Sequence, residues 1–493
     1  MSSLSNQTCE NIYKLLTSEL EGTIWKDVCF NKLFGDPVID MHSVMAPATF
    51  EHWLSSIGSR DNQAFESHSV LWFQNFCEQL EAKGLINVDS TKRFYYPSGT
   101  TILKDAYHRA VRKCDIVLVR KLDNQTHGPA LHHDGDINIL TPDDSSRKFR
   151  HSWKDILVFG EFKASVKGDM RKDTILQLSS YARETFAAQP WRRFVHAFTV
   201  CGNLARFYFF DRVGVSISVG YDISADSIQG QNLFMHCLFS YINMTASQLG
   251  FDELYKDSNG NTFLPNTNSP TYLHLPNKRF QLHDTLHQTN GIVSRGTLCW
   301  LATEEGSDTT CVVKEAWRDS AMQSEAKLWD LAKQKCVLGC LDVLITHDGD
   351  SVSMKTTEEN NIRCCLDYGR AGLIQWQYDS KISTSKKIGI SKRNSAPPTP
   401  TPIYSGSITA SKAQTSSRIT SQKRPNPGNE DELPVTKRKC IRGVVQDRTR
   451  SFVVVSNVGV KLDWKIQPRE LVETIRDAIK CALSLYIPPF FFD

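Results

Sequence analysis

Two acidic residues and one lysine lie on stretches that read as adjacent β-strands. Asp115 stands near the start of the apolar run CDIVLV, and Glu161 and Lys163 follow the apolar run ILVFG. Because side chains alternate along a strand, Glu161 and Lys163 share one face. Carboxylates on two neighbouring strands are oxygen ligands of the kind that a hard divalent cation binds. The lysine would then lie beside an attacking water or a scissile phosphate.

A helical pattern over residues 174–188 adds Gln177 and Tyr181, which are four positions apart and so share a helix face. Together with Asp115, Glu161 and Lys163, they resemble the PD-(D/E)xK nuclease superfamily, one branch of which has a similar Gln-x-x-x-Tyr pair. The resemblance implies a restriction-endonuclease-like fold, Asp115 and Glu161 as ligands of Mg²⁺, and a nucleic acid as substrate. No proline precedes Asp115, and the gap to Glu161 is long. The alternative is a Glu–Lys surface pair at a strand end, with Asp115 as a capping residue.

A second candidate site centres on Lys314 in the string CVVKEAW, which predicts a strand. Glu325 lies in the following helical pattern, residues 319–336. Protein kinases use a strand lysine and a helix glutamate in this way to hold ATP phosphates. Upstream, Gly296 in SRGT predicts a turn over the phosphates, although the GxGxxG string is absent. The alternative is that Lys314 is an exposed strand lysine.

Longer strings carry a more specific resemblance. The run QLSSYARETFAAQPWRRFVHAFTVCGNLARFYFFDRVG and the strings SRGTLCW, VVKEAW and RELVETIRDAI resemble the fungal-type protein kinase family over most of residues 153–485. The resemblance implies a kinase domain behind a large α/β region. Lys314 would be the nucleotide lysine and Glu325 its partner, with ATP and Mg²⁺ as cofactors. Residues 451–461 would form the strand and hinge that meet adenine, and residues 468–485 the first helices of the C-lobe.

Phosphoryl transfer by a kinase needs one aspartate that orients the substrate hydroxyl and a second that binds magnesium. Neither a His-Arg-Asp loop nor a magnesium motif follows residues 469–485. Three similar strings are excluded. His108-Arg109-Ala110 lacks the aspartate and lies in the first domain, His347-Asp348 lies in the predicted N-lobe, and Asp367-Tyr368-Gly369 precedes the predicted hinge. The expected function is therefore an inactive or scaffold-like kinase homologue, truncated before its catalytic loop, with residual nucleotide binding. The alternative is a metal-dependent nuclease, or its relic, in the N-terminal domain.

Composition sets limits on the class of protein. A chain of 493 residues with 40% hydrophobic and 10% aromatic residues predicts two or three domains with real cores. The net charge of +4 gives no support for non-specific nucleic-acid binding by the whole chain. No run approaches the roughly 18 apolar residues of a membrane span, and the N-terminus does not resemble a signal peptide. The 14 cysteines show no CxxC pairing, which indicates reduced thiols. We expect a protein that is not secreted and does not bind membranes.

The predicted fold class is α+β and multidomain. An α/β domain with a mixed sheet is followed by a small sheet with one helix, similar to a kinase N-lobe, and then by a disordered linker and one or two C-lobe helices. Low apolar content is the reason for the disorder prediction, since such a segment cannot offset its ordering entropy. The predicted boundaries are 1–255 for the N-terminal domain, 256–278 for a connector, 279–380 for the N-lobe-like domain, 381–440 for the linker, 441–486 for the hinge strand and helices, and 487–493 for an apolar tail.

Local patterns add three expectations about secondary structure. Residues 95–99, YYPSG, predict a turn. Residues 213–223 alternate as one strand, and residues 362–366 add a strand to the small sheet.

Two basic clusters in the predicted linker, Lys423-Arg424 and Lys437-Arg438-Lys439, have the form of a two-part nuclear import signal. They predict a nuclear protein, with cytoplasm as the alternative, and a nuclear import receptor as one partner. The other interpretation is a solvated charge run. The sequence names no further protein partner.

Overall fold

The computed structural model describes residues 2–57, 62–86, 93–98, 112–120, 151–263, 270–307, 309–335, 342–354, 360–376 and 447–456, with the isolated positions 103, 106, 337 and 358. These residues belong to one compact unit. The predicted linker, the C-lobe helices, the apolar tail and the string His108-Arg109-Ala110 lie outside the described residues.

Seven α-helices lie in this part of the chain: α1 (Ser2–Glu19), α2 (Asn31–Phe34), α3 (Pro47–Ile57), α4 (Asn62–Ala82), α5 (Lys172–Ala188), α6 (Ile228–Asn243) and α7 (Glu325–Gln334). The strands are β1 (Ile24–Val28), β2 (Arg93–Pro97), β3 (Ile116–Arg120), β4 (Ile156–Lys163), β5 (Phe194–Cys201), β6 (Leu204–Asp211), β7 (Val215–Ser218), β8 (Tyr221–Asp222), β9 (Tyr255–Lys256), β10 (Thr271–Leu275), β11 (Lys278–Gln288), β12 (Leu298–Glu304), β13 (Thr310–Asp319), β14 (Val343–Val352), β15 (Gly372–Leu373) and β16 (Arg448–Ser456).

The first sheet is mixed and has nine strands, in the order β15-β1-β7-β6-β5-β4-β3-β2, with β8 paired to β6. β2, β3 and β4 are antiparallel neighbours. β4 and β5 run parallel, and α5 provides the crossover connection that parallel strands need. Because helices cover both faces, β4 and β5 read as continuous apolar runs and are buried almost throughout.

Each face of this sheet has its own core. One core joins α1 and α5 to the sheet through buried residues that include Leu16, Leu20, Leu178 and Phe186. The other joins α3, α4 and α6 through aromatic residues, among them Trp53, Trp72, Phe73, Phe234 and Tyr241. The first of these cores packs β3 and β4 against α5, and the antiparallel pairing brings the start of β3 next to the end of β4.

The second sheet has seven strands, in the order β14-β16-β13-β12-β11-β10-β9. Its buried face includes Leu273, Phe280, Trp300, Val313 and Phe452. The helix α7 lies between β13 and β14 in the chain, and none of its residues is buried. The opposite face of the sheet, on which Lys314 lies, is therefore less covered.

The segment between β14 and β16 returns to the first sheet. β15 pairs with β1, Asp367 forms a bridge with Cys29, and Arg363 pairs with Asp211 at the end of β6. Residues 360–376 thus pack on the first sheet, although the strands on either side of them belong to the second.

The α+β class is confirmed, and several local predictions need correction. The turn predicted at residues 95–99 is wrong, because Tyr95 is buried in β2 and pairs with Leu118 of β3. Residues 362–366 form no strand, since they pack irregularly around the buried Arg363. The expected single strand at 213–223 divides into β7 and β8. β10 lies inside the region predicted as a connector. Among the described residues, no helix is long and apolar enough to cross a membrane.

Candidate functional site

Asp115 and Glu161 are neighbours because β3 and β4 pair in antiparallel register. Ile116 lies opposite Gly160, so Asp115, just before β3, lies beside the next residues of β4. The backbone N–H of Phe162 donates to Oδ2 of Asp115 at 2.7 Å. This bond fixes the Asp115 carboxylate at the strand end that carries Glu161.

Glu161, Lys163 and Gln177 form a closed set of hydrogen bonds. Nζ of Lys163 lies 2.6 Å from Oε1 of Glu161 and 2.9 Å from Oε1 of Gln177. Nε2 of Gln177 donates to Oε1 of Glu161 at 2.6 Å. Strand alternation supplies the first two side chains, and the first turns of α5 supply the third.

Tyr181 completes this cluster one helical turn further along α5. Its hydroxyl accepts from Nε2 of Gln177 at 2.7 Å and lies 3.2 Å from Oε2 of Glu161. The hydroxyl also bonds to the carbonyl oxygen of Lys113. The structure therefore brings together all five residues that the sequence singled out around Glu161.

The cluster holds one carboxyl group in an unusual electrostatic state. Glu161 is 3% exposed, whereas the Lys163 side chain is 30% exposed. Burial, followed by the neighbouring charge of Asp115, raises the pKa of Glu161 to about 8, although Lys163 and Tyr181 act in the opposite direction. Such a carboxyl can accept or release a proton near neutral pH. No group of three or more His, Cys, Asp or Glu side chains is placed to hold a metal in the described part of the chain.

Lys314 and Glu325 form the ion pair predicted for the second site. Nζ of Lys314 lies 2.7 Å from Oε1 and 2.9 Å from Oε2 of Glu325. Glu325 is the first residue of α7, and the Ser324 side chain caps this helix by accepting from the N–H of Lys327. The cap fixes where α7 begins and so places Glu325 opposite β13.

An apolar strip lies beside this ion pair on the same face of the sheet. Val312, two residues before Lys314, pairs with Leu301 of β12 and Val455 of β16. These three side chains are partly exposed, while Val313 between Val312 and Lys314 is fully buried on the other face. The site thus combines a fixed ammonium group with an accessible apolar strip.

The turn that contains Gly296 lies next to the same pair. Gly296 has a φ of 50°, and a Cβ atom there would lie 3.0 Å from Nε of Arg212. The N–H of Trp317 donates to the carbonyl oxygen of Arg295 at 2.6 Å. Nη2 of Arg295 lies 3.2 Å from Oε1 of Glu325. Arg295 was not among the candidate residues predicted from the sequence, because no spacing rule connects it with Glu325.

The comparisons with known proteins bear on both sites. The family model described as fungal protein kinase matches residues 135–488, which is well over half of the chain. The chain belongs to the fungal protein kinase family. No curated protein and no solved structure matches it. The matched residues include Glu161, Lys163 and α5 as well as Lys314 and Glu325, so the family pattern extends over both sheets.

Two strings that resemble kinase motifs form hydrogen bonds and an ion pair with residues outside the Lys314 site. Asp367 of Asp367-Tyr368-Gly369 accepts from the N–H of Gly369, and the hydroxyl of Tyr368 bonds to Ser216 of β7 at 2.6 Å. In His347-Asp348, the carboxylate pairs with Arg318 at 2.8 Å. Their partners are thus a turn, the first sheet and Arg318 of β13.

Proposed function

We propose that this fungal protein kinase family member binds ATP, carried as its Mg²⁺ complex, with the phosphates at Lys314, which Glu325 holds in place. The ion pair between these residues is the observation that carries the proposal. A lysine held by a glutamate has a fixed ammonium position, which suits it to contact the phosphates of a nucleotide. Val312, Leu301 and Val455 offer an apolar surface for the base.

The arrangement of the second sheet supports a kinase N-lobe-like assignment. β11, β12 and β13 are successive antiparallel neighbours, α7 follows β13, and β16 lies between β13 and β14. Lys314 is on the third of these strands, and its partner is on the helix that follows. This is the strand-and-helix relationship that the Lys–Glu pair of kinases requires.

For the 493-residue polypeptide, we propose binding without efficient phosphoryl transfer, as in an inactive or scaffold-like kinase homologue. Transfer requires aspartates that orient the hydroxyl and clamp magnesium. Asp348 and Asp367, which lie in the two described strings similar to those motifs, have the other partners given above. Lysine-dependent autophosphorylation of the purified polypeptide would contradict this part of the proposal.

Titration of the full chain with a fluorescent ATP analogue in the presence of Mg²⁺ tests the binding proposal. We expect saturable binding that Lys314→Met weakens at least tenfold, an effect of about 1.4 kcal/mol. Lys278→Met is the matched control, because Lys278 is also a strand lysine in an ion pair, 2.7 Å from Glu304. Absence of binding to the unmodified chain, or equal effects of the two variants, would overturn the proposal.

A second candidate function is metal-dependent cleavage of nucleic acid at the Glu161 cluster. The convergence of Asp115, Glu161, Lys163, Gln177 and Tyr181 at one strand end favours it. Asp115 and Glu161 supply the oxygen ligands that Mg²⁺ prefers. The cation would supply Lewis-acid chemistry, and Lys163 would lie beside the phosphate or the attacking water. The mixed first sheet is compatible with a nuclease-like fold.

The test of this second candidate is a DNA cleavage assay with Mg²⁺ or Mn²⁺. Lys163→Ala should abolish cleavage, whereas Lys167→Ala should not, because Lys167 is an exposed lysine nearby outside the cluster. Calorimetric titration with Mn²⁺ gives a second readout, since Glu161→Gln should weaken metal binding. Cleavage that persists in Lys163→Ala would point to a contaminant and count against the candidate.

A further inference from the structure

The turn between β11 and β12, residues 289–297, is inserted into the core that the first sheet forms with α1 and α5. We call this turn the anchored turn, and we call the first sheet and its helices the N-terminal region. Ile292 at its tip is 0% exposed. It belongs to the same core cluster as Leu16 of α1, Leu20 just after α1 and Phe186 of α5. Burial of an isoleucine side chain holds the turn against the first sheet and its helices.

Three side chains of the N-terminal region hold the backbone of the anchored turn. Oε1 of Glu19 accepts from the N–H of Val293 at 2.8 Å. Nε of Arg183 donates to the carbonyl oxygen of Asn290 at 2.7 Å, and Nη1 of Arg212 donates to that of Gly291 at 2.8 Å. These bonds come from α1, α5 and the residue after β6, so the turn is held from three directions.

Arg212 is itself firmly placed. It is 2% exposed, and its guanidinium carbon lies 4.1 Å from the ring centre of Phe186. Gly296 lies so close to this guanidinium that a side chain at position 296 would contact it. The arginine therefore limits the positions that the turn can adopt.

The other side of the anchored turn touches the Lys314 site. The carbonyl oxygen of Arg295 accepts from Trp317 of β13, three residues after Lys314, and the Arg295 side chain reaches Glu325. One short segment thus contacts both the N-terminal core and the carboxylate that holds Lys314.

We propose that Glu19, Arg183 and Arg212 are positioning residues for the nucleotide site, because they hold the anchored turn beside Lys314 and Glu325. This inference rests on the nucleotide binding proposed above. A mobile turn would have to become ordered when a nucleotide binds, and that ordering lowers affinity. A turn already fixed by the N-terminal region avoids this loss. The N-terminal region then influences the affinity of a site whose proposed phosphate-binding residues, Lys314 and Glu325, lie outside it.

The test compares Glu19→Ala, Glu19→Gln and Glu21→Ala in the full chain. Glu19→Ala removes the acceptor for Val293, whereas Glu19→Gln keeps an acceptor oxygen and should rescue the effect. Glu21 is exposed and serves as the control. We expect Glu19→Ala to speed hydrogen–deuterium exchange in residues 289–297 and to weaken binding of the ATP analogue about three- to tenfold. Arg183→Gln replaces Glu19→Ala if the latter does not fold.

The outcomes separate this inference from the proposed function. Faster exchange in the anchored turn with unchanged nucleotide affinity would overturn the positioning role and leave nucleotide binding intact. Unchanged exchange would show that Glu19 does not anchor the turn. If the unmodified chain binds no nucleotide, or if Lys314→Met leaves its affinity unchanged, the proposed function fails and the inference fails with it.

Discussion

The guanidinium of Arg363 and the carboxylate of Asp211 form a fully buried, two-point ion pair. Nε of Arg363 lies 2.6 Å from Oδ2 of Asp211, and Nη2 lies 2.9 Å from Oδ1. Both side chains are 0% exposed. The carboxylate also accepts from the backbone N–H groups of Val213 and Gly214. The pair joins the segment between β14 and β16 to the last residue of β6.

Arg363→Leu should destabilise the protein strongly, because it leaves the Asp211 charge buried without its partner. The expected loss is about 3–5 kcal/mol. Arg171→Leu is the control, since the Arg171–Asp173 pair has side chains 60% and 58% exposed and such pairs contribute at most ~1 kcal/mol. Urea denaturation followed by circular dichroism measures both. A similar decrease in the free energy of unfolding in the two variants would contradict the prediction.

Glu161 should make stability depend on pH. Its folded-state pKa is raised from 4.5 to about 8 by burial and then by Asp115, so the folded protein holds this proton more tightly than the unfolded chain. The stabilising contribution of the protonated carboxyl is complete below about pH 4.5 and is lost as pH rises towards about 8. The glutamine in Glu161→Gln cannot ionise. The melting temperature of this variant minus that of the unmodified protein should therefore increase as the pH rises from 5 to 8.

Thermal melts of both proteins across this pH range provide the measurement. A pKa that is higher by one corresponds to about 1.4 kcal/mol, so we expect the stabilities of the two proteins to change by a few kcal/mol relative to each other as the pH rises towards 8. A difference that stays constant with pH would show that Glu161 titrates normally.

Glu325→Gln should affect ligand binding more than folding. The side chains of Lys314 and Glu325 are 34% and 23% exposed, so water already screens the pair. The expected stability change is below ~1 kcal/mol. Affinity for the ATP analogue should fall, because Lys314 loses its charged partner. Glu304→Gln, which changes the similarly exposed pair with Lys278, is the control. A large drop in melting temperature, or unchanged affinity, would be evidence against this division of roles.

Gly160→Ala should disturb the strand that carries Glu161 and Lys163. A Cβ atom at Gly160 would lie 2.6 Å from both Cγ2 of Ile116 and Cζ of Phe198, inside a closely packed core. Overpacking of this kind costs about 1–3 kcal/mol. Gly349→Ala is the control, since its nearest neighbour would be 3.8 Å away. Equal unfolding midpoints for the two variants would be inconsistent with the packing at Gly160.

The basic clusters predict nuclear import. Residues 415–442 fused to a fluorescent reporter should accumulate in nuclei, because paired basic clusters in an extended chain suit capture by an import receptor. Replacing Lys437, Arg438 and Lys439 by alanine should abolish the accumulation. A diffuse cytoplasmic signal from the unmodified fusion would refute the prediction. These residues lie outside the described part of the chain.

The sequence by itself determined features that depend on local spacing. Alternation placed Glu161 and Lys163 on one face of β4, and helical spacing placed Gln177 and Tyr181 on one face of α5. The string VVKEAW indicated the strand of Lys314, and the next helical pattern contained its partner. Such features are predictable because each element's period decides which side chains share a face.

Only the tertiary structure decided which distant elements meet. It paired Asp211 with Arg363, returned residues 360–376 to the first sheet, and inserted Ile292 into the core formed with α1 and α5. It also made Tyr95 part of a buried strand where a turn was predicted. These outcomes depend on burial and charge pairing between residues that are far apart in the sequence. A local pattern cannot identify such partners, because it contains only one of the two.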